Sequence, residues 1–234
     1  MKKENVIITG INRGLGKELF QLFISEGYTV YGILRNTLEA ENLKDKLPKN
    51  GKIILADLSL DESITTIQKA IGEQPVGLLI NNAGIGGLSY LIEEIESNEI
   101  NKLFNIHCLG VFRTVKAVKA NLLKAKEPIV LNLNSRLGSM TRQSSGTYND
   151  ITVSYSYRIA KAAQNMLTLC LRKEFKENIK FISIHPGKMK TDIAQIDADI
   201  EPKVTAKKVL KYFENKTFKE ENGIIELDKQ VIEW

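Results

Sequence analysis

Tyr157 and Lys161 stand four residues apart in Tyr157-Arg-Ile-Ala-Lys161, and on a helix that spacing puts a phenol and an ammonium on one face. The chemistry such a pair suits is proton exchange with a substrate oxygen near neutral pH. A free tyrosine titrates near pH 10, about three units too high, so about 4 kcal/mol of preferential tyrosinate stabilisation is wanted. A neighbouring cation supplies about one to three units, and a helix N-terminus adds about 0.3 to 1 kcal/mol. Lys161 and the first helical turn together cover most of that sum. Spacing alone does not single the pair out, because Tyr212 and Lys216 share it within a charged C-terminal segment, whereas Tyr155 meets Ile159 and lacks the cation. Context favours Tyr157. An apolar run ends upstream in Asn132-Leu-Asn-Ser135, which offers a hydroxyl, and a Ser-, Thr- and Gly-rich stretch from Arg136 to Ser156 leads into the helix.

Elements that would position these groups can be read along the chain. Val6 to Ile8 suits a buried parallel strand, and Leu15, Leu19, Leu22 and Phe23 form the apolar stripe of a following helix. Between them lie Gly10, Gly14 and Gly16, where backbone N–H groups can approach a pyrophosphate at a helix N-terminus that favours anions. The Gly-x3-Gly-x-Gly spacing departs from the general Gly-x-Gly-x2-Gly fingerprint. Further strands are expected at 27–34, 52–57, 76–80, 129–133, 179–184 and 223–227, with helices at 98–124, 155–175 and 204–213. Alternating strands and helices predict a doubly wound, mostly parallel seven-stranded α/β sheet covered by helices on both faces, formed as one domain over residues 1–234.

Ligands of such sheets bind at the carboxyl ends of the strands. The second strand ends Ile33-Leu-Arg35 with no acidic residue, and Arg13 lies in the glycine turn. Two guanidiniums there would attract a 2′-phosphate and favour NADP(H) over NAD(H), unless they are simply exposed charges. Asp57 either accepts from an adenine amino group or caps the turn at Leu58-Ser59. The fourth strand ends in Asn81-Asn-Ala-Gly84, where Asn81 suits bracing of backbone as well as cofactor contact.

Composition narrows the classes. With 43% hydrophobic and 26% charged residues the chain is ordinary for a globular protein, and its formal charge of +5 is spread along it. Lysine clusters at 116–126 and 203–219 read as solvated helix faces, and no recognition motif accompanies them, so no nucleic-acid partner is expected. No apolar run suits a signal peptide or a membrane span, so a cytoplasmic location without membrane attachment is expected. Cys108 and Cys170 lack a paired-cysteine spacing, and with only His107 and His185 besides, no metal site is expected.

Thr9-Gly10-x3-Gly14-x-Gly16, Asp57, Asn81-Asn-Ala-Gly84, Asn105, Ser135, Tyr157-x3-Lys161 and His185-Pro-Gly187 through Thr191 resemble, in order and approximate spacing, the short-chain dehydrogenase/reductase family, over nearly the whole chain. The compact carbonyl reductase and C-factor-like branch is the most similar. The resemblance implies a reduction in which Tyr157 gives its proton to a carbonyl oxygen as hydride arrives from the nicotinamide. Ser135 would hydrogen-bond that oxygen, and Lys161 would lower the Tyr157 pKa and bind the nicotinamide ribose. Asn105 would hold a water that links Lys161 to solvent. The implied cofactor contacts are Gly10, Asn12, Arg13, Gly14, Leu15 and Gly16 in the glycine turn, then Arg35, Asp57 and Leu58 on the adenosine side. Asn82, Ala83 and Gly84 follow at the fourth strand, and Tyr157, Lys161, Pro186, Gly187, Met189 and Thr191 surround the nicotinamide. Asn12 and Asn134 stand where serine is frequent in the family, and both retain hydrogen-bonding capacity.

The expected function is therefore an NADP(H)-dependent carbonyl reductase or alcohol dehydrogenase of small molecules, as a homodimer or homotetramer through helices 98–124 and 155–175. Lys188 and Lys190 either favour an anionic substrate, as a 3-oxoacyl-carrier-protein reductase would need, or are surface charges. A non-catalytic NADP-binding regulator is the alternative of another class, against which retention of the Ser, Tyr, Lys and Asn set weighs. The short segment after Thr191 offers little room for a lid and favours small, exposed carbonyls.

Overall fold

Val6 and Ile8 point to one face of the first strand and Ile7 to the other, and all three are fully buried. A strand apolar on both faces demands cover on both. The computed structural model describes residues 3–44, 46–190 and 198–234. In it β1 (Asn5–Thr9), β2 (Val30–Leu34), β3 (Gly51–Leu55), β4 (Val76–Asn81), β5 (Ile129–Leu133), β6 (Lys180–His185), β7 (Ile224–Glu226) and β8 (Val231–Ile232) form one sheet. Their order is β3-β2-β1-β4-β5-β6-β7-β8, parallel throughout except for the antiparallel β7–β8 pair. The eighth strand corrects the expected count of seven. A two-residue strand with one exposed side chain carries too little periodicity to be read.

The two faces carry separate apolar cores, and neighbouring residues alternate between them. Val6, Ile8, Leu78, Ile80 and Ile182 pack on the side of α1 (Gly14–Ser25), with Leu19 and Phe23, and of the last long helix, Pro202–Glu214, with Val209. Ile7, Leu79 and Phe181 pack on the other side, against Ile67 of the helix Glu62–Ile71, Val118 of Gly110–Leu122 and Leu171 of Tyr155–Phe175. Each fully buried Leu, Ile or Phe contributes about 1.5 to 3 kcal/mol, so both helical layers are held chiefly by these strands.

In chain order the helices are α1, α2 (Thr37–Lys44), α3 (Glu62–Ile71), α4 (Ser97–Phe104), α5 (Gly110–Leu122), α6 (Met140–Ser144), α7 (Tyr155–Phe175) and α8 (Pro202–Glu214). The helix expected over 98–124 is thus interrupted, with a π-turn at Asn105–Leu109 joining α4 to α5. Polar pins fix these helices to the sheet. Asn81 donates to Asn132 at 2.9 Å and accepts from Thr114 of α5 at 2.6 Å, while Asn132 donates to Thr168 of α7 at 2.9 Å. Asn81 is therefore structural. No helix among the described residues is long and apolar enough to cross a membrane.

Candidate active site

The turn after β1 folds back on itself. Gly10 has φ +70°, and a Cβ there would sit 2.8 Å from Ala83 Cα; a Cβ on Gly16 would sit 2.1 Å from Gly10 O. Only glycine fits this packing of turn, helix start and β4 end. Asn82 Nδ2 donates to Thr9 O at 2.9 Å and Gly10 O at 3.1 Å, and the Thr9 hydroxyl accepts from the Asn82 and Ala83 amides, both at 2.9 Å. Next to this turn lies a cavity of 530 Å³. It is lined by Gly10, Asn12, Arg13, Gly14 and Leu15 from the turn, and by Asn82, Ala83 and Gly84 from the end of β4. Arg35, Asp57 and Leu58 line it where β2 and β3 end, and Met189 lines it beyond β6. Gly16 supports the turn from behind. An elongated anionic ligand fits such a cradle, with backbone amides at a helix N-terminus and two arginines.

Asp57 faces this cavity and also caps its own turn, accepting from Ser59 N at 2.9 Å and Ser59 Oγ at 2.8 Å. Burial works against its charge, but these hydrogen bonds and the nearby Arg35 hold its carboxyl below the usual range.

A second cavity, of 960 Å³, adjoins the first and is lined by Ser135, Tyr157, Lys161, Pro186 and Gly187. Asn134 brings the end of β5 to α7: its Nδ2 donates to Asn165 and to Lys161 O, and its Oδ1 accepts from Ser135 N at 2.8 Å. Ser154 caps α7, accepting from Tyr157 N at 3.1 Å, so Tyr157 lies in the first helical turn. The Ser135 side chain lies beside Tyr157 and favours its charged form. Lys161, 5% exposed, sits behind them with Nζ 5.7 Å from the Tyr157 ring centre. Its ammonium donates to Leu133 O at 2.7 Å and Gln164 Oε1 at 3.0 Å.

In this geometry burial is the largest influence on both groups. Burial pushes Tyr157 up to about 12, only partly opposed by Ser135, and pushes Lys161 down to about 7. Both charged forms are desolvated in the same pocket, and the ammonium hydrogen-bonds to a carbonyl and an amide instead of the phenol. Tyr157 therefore keeps its proton at neutral pH, the state a proton donor needs.

The model of the family described as short chain dehydrogenase matches residues 4–201. The chain belongs to this family. A 3-oxoacyl-[acyl-carrier-protein] reductase of Vibrio cholerae is 28% identical over 192 residues, covering 81% of this chain and 75% of that protein. The carbonyl reductase Sniffer of D. melanogaster superposes with a TM-score of 0.84 at 25% identity, covering 99% of both chains. The NADPH-bound carbonyl reductase from chicken fatty liver also gives 0.84, at 23% identity over 100% of both.

In this short-chain dehydrogenase, Asn105 is the expected site residue that the structure places elsewhere. Its Nδ2 donates to Ser59 O at 3.0 Å and its Oδ1 accepts from Arg113 at 2.7 Å, so it braces the turn after β3. His107, two residues on, faces the site instead: it lines the second cavity, and its ring stands edge-on to Tyr157 at 5.5 Å. Nε2 lies 2.8 Å from Ile85 O, to which it can donate, and 3.3 Å from Ile85 N, from which it can accept, so the tautomer decides which bond forms. Nδ1 is buried and meets no partner among the described residues. Burial, with the Lys161 charge, pushes His107 down to about 3. Sequence held a signal for this: Leu103, His107 and Val111 share a helical stripe, and Leu103 and Val111 are buried, while Asn105 is off it. Thr191 and the short segment after it lie outside the described residues.

Proposed function

We propose that this protein is an NADPH-dependent reductase of small carbonyl compounds, with Tyr157 as proton donor. The observation that carries the reading is the convergence of Ser135, Tyr157 and buried Lys161 on one cavity adjoining the glycine-turn cradle. Arg13 and Arg35 at the cradle's adenosine side, and the NADPH held by the chicken carbonyl reductase, support the phosphorylated cofactor. The cofactor, when bound, supplies hydride to the carbonyl carbon. Ser135 would hydrogen-bond the carbonyl oxygen and polarise it. Tyr157 would pass its phenolic proton to that oxygen, leaving a tyrosinate that the Lys161 ammonium stabilises until solvent returns a proton. The Asn105 side chain braces the turn after β3, so the relay to solvent is not assigned to it.

A panel of aldehydes, ketones and quinones with NADPH consumption as readout tests this reading; no turnover of any of them would reject it. A 3-oxoacyl-carrier substrate is the second reading, favoured by Lys188 on the lining of the second cavity and by the Vibrio cholerae relative. Lys190 supports it less, since it pairs with Glu201 at 2.9 Å. Exposed Phe112 on α5 and Ile159 and Met166 on α7 support a homodimer or homotetramer through these helices. Light scattering at working concentration tests that, a monomeric mass contradicting it.

A further inference from the structure

Glu99 of α4 lines neither cavity among the described residues, yet its carboxylate gathers contacts from both sides of the second one. On one side it accepts from Leu88 N at 3.1 Å, Ser89 N at 3.5 Å and Ser89 Oγ at 2.7 Å. On the other it accepts from Ser156 Oγ. Ser156 Oγ lies 3.1 Å from Ser154 Oγ, the atom that caps the Tyr157 amide. One carboxylate thus joins the loop that begins at Gly86 to the first turn of the helix carrying Tyr157.

The loop fits closely against that cap. A Cβ on Gly87 would meet Ser154 Oγ at 1.8 Å and Ser156 Oγ at 2.8 Å. Only a glycine backbone can lie against the two serines at this point. Gly86, Gly87, Leu88 and Tyr90 line the cavity, so wherever the loop sits shapes part of its wall. Little apolar burial holds it: Leu88 is 84% exposed, Leu91 56% and Ile92 63%. With so few packing contacts, the loop's placement depends on hydrogen bonds, and most of the strong ones end on Glu99. Hydrogen bonding to the Ser156 and Ser89 side chains and the Leu88 and Ser89 amides outweighs partial burial and holds its carboxyl below the usual range, so it is ionised and acceptor-only at neutral pH.

We propose that Glu99 is a positioning residue, a clasp that couples the placement of the loop at 86–90 to the capped start of α7 and hence to Tyr157. The carbonyl substrate is then held between a wall and a proton donor that share one anchor. The kinetic consequence rests on the reductase reading; the structural consequence does not.

Two measurements on the full-length protein with NADPH test it. In Glu99→Gln, one oxygen stays an acceptor, the other becomes an NH2 donor, and the charge is lost, so the hydrogen bonds received here are no longer charge-assisted. Amide hydrogen exchange should then quicken in 86–91 and in 154–158 together. KM for 4-nitrobenzaldehyde should rise about tenfold while KM for NADPH holds, the expected cost of losing charge-assisted hydrogen bonds on the substrate side alone. Ser156→Ala cuts the same link with a smaller change, should quicken exchange in both segments, and gives an answer if Glu99→Gln folds poorly. Ser89→Ala and Ser156→Ala should combine non-additively in wild type and additively in Glu99→Gln. Faster exchange confined to 86–91, or additive effects in wild type, would overturn the clasp. A wild type that reduces no carbonyl would reject the reductase reading, while the exchange result still decides the clasp.

Discussion

His107 stands edge-on to Tyr157, with ring centres 5.5 Å apart and planes at 85°. The imidazole in this contact is buried, and burial with the nearby Lys161 charge keeps it neutral at ordinary pH. Acid is therefore expected to loosen the site. His107 has a folded value of about 3 against about 6.5 in an unfolded chain, so between those values the unfolded state binds the extra proton. Stability is complete above about pH 6.5 and lost as pH falls toward 3. His185, pushed down to about 4 by burial, acts in the same direction. Urea unfolding midpoints should fall steadily from pH 6.5 to 4, with a slope of up to about 1.4 kcal/mol per pH unit for each histidine. His107→Gln should flatten that slope, and an unchanged slope would show that His107 is not held neutral.

Lys161 is the cation meant to stabilise a tyrosinate, and burial brings it down to about 7. Its charge is present below that value and lost above it. The ratio kcat/KM for reduction should thus decline as pH rises through about 7, approaching tenfold per unit. A profile flat to pH 9 would mean that the ammonium persists or is not required. The same shift has a stability counterpart of opposite slope. From pH 7 to about 10.5 the unfolded chain holds the extra proton, so the cost of burying the ammonium is full below 7 and relieved as pH rises.

Arg35 lines the cradle where β2 ends, close enough to Asp57 to help hold that carboxyl ionised. Arg35→Asp replaces an attraction for a 2′-phosphate by a repulsion. The NADPH-to-NADH ratio of kcat/KM should fall about ten- to a hundredfold, the worth of one or two charge-assisted hydrogen bonds. An unaltered ratio would assign phosphate recognition elsewhere, with Arg13 the next residue to replace.

Much of this site was legible in the sequence because its geometry follows from strand ends and helical spacing. Gly10, Asn82 and Ser135 each follow an apolar run, and parallel pairing brings such ends to one edge. Tyr157 and Lys161 needed the helical repeat together with the upstream Ser135 strand end, which sets them apart from Tyr212 and Lys216. What stayed hidden depends on departures from regularity or on surroundings. The π-turn at Asn105–Leu109 leaves no mark in hydrophobic periodicity, although the Leu103–His107–Val111 stripe does set His107 apart from Asn105. The Tyr157 and Lys161 shifts come from burial of both groups together, a property of packing that spacing does not encode. Strand β8 pairs through Ile224 and Ile225 after a turn, and its two residues are too short a pattern to announce it.

The most direct test of the proposed chemistry is Tyr157→Phe, assayed for carbonyl reduction alongside NADPH binding. The variant keeps the ring and its contact with His107 but removes the phenolic proton. We expect kcat/KM to fall about a hundred- to ten-thousandfold with the NADPH dissociation constant nearly unchanged. Turnover within a few-fold of wild type would contradict Tyr157 as the proton donor.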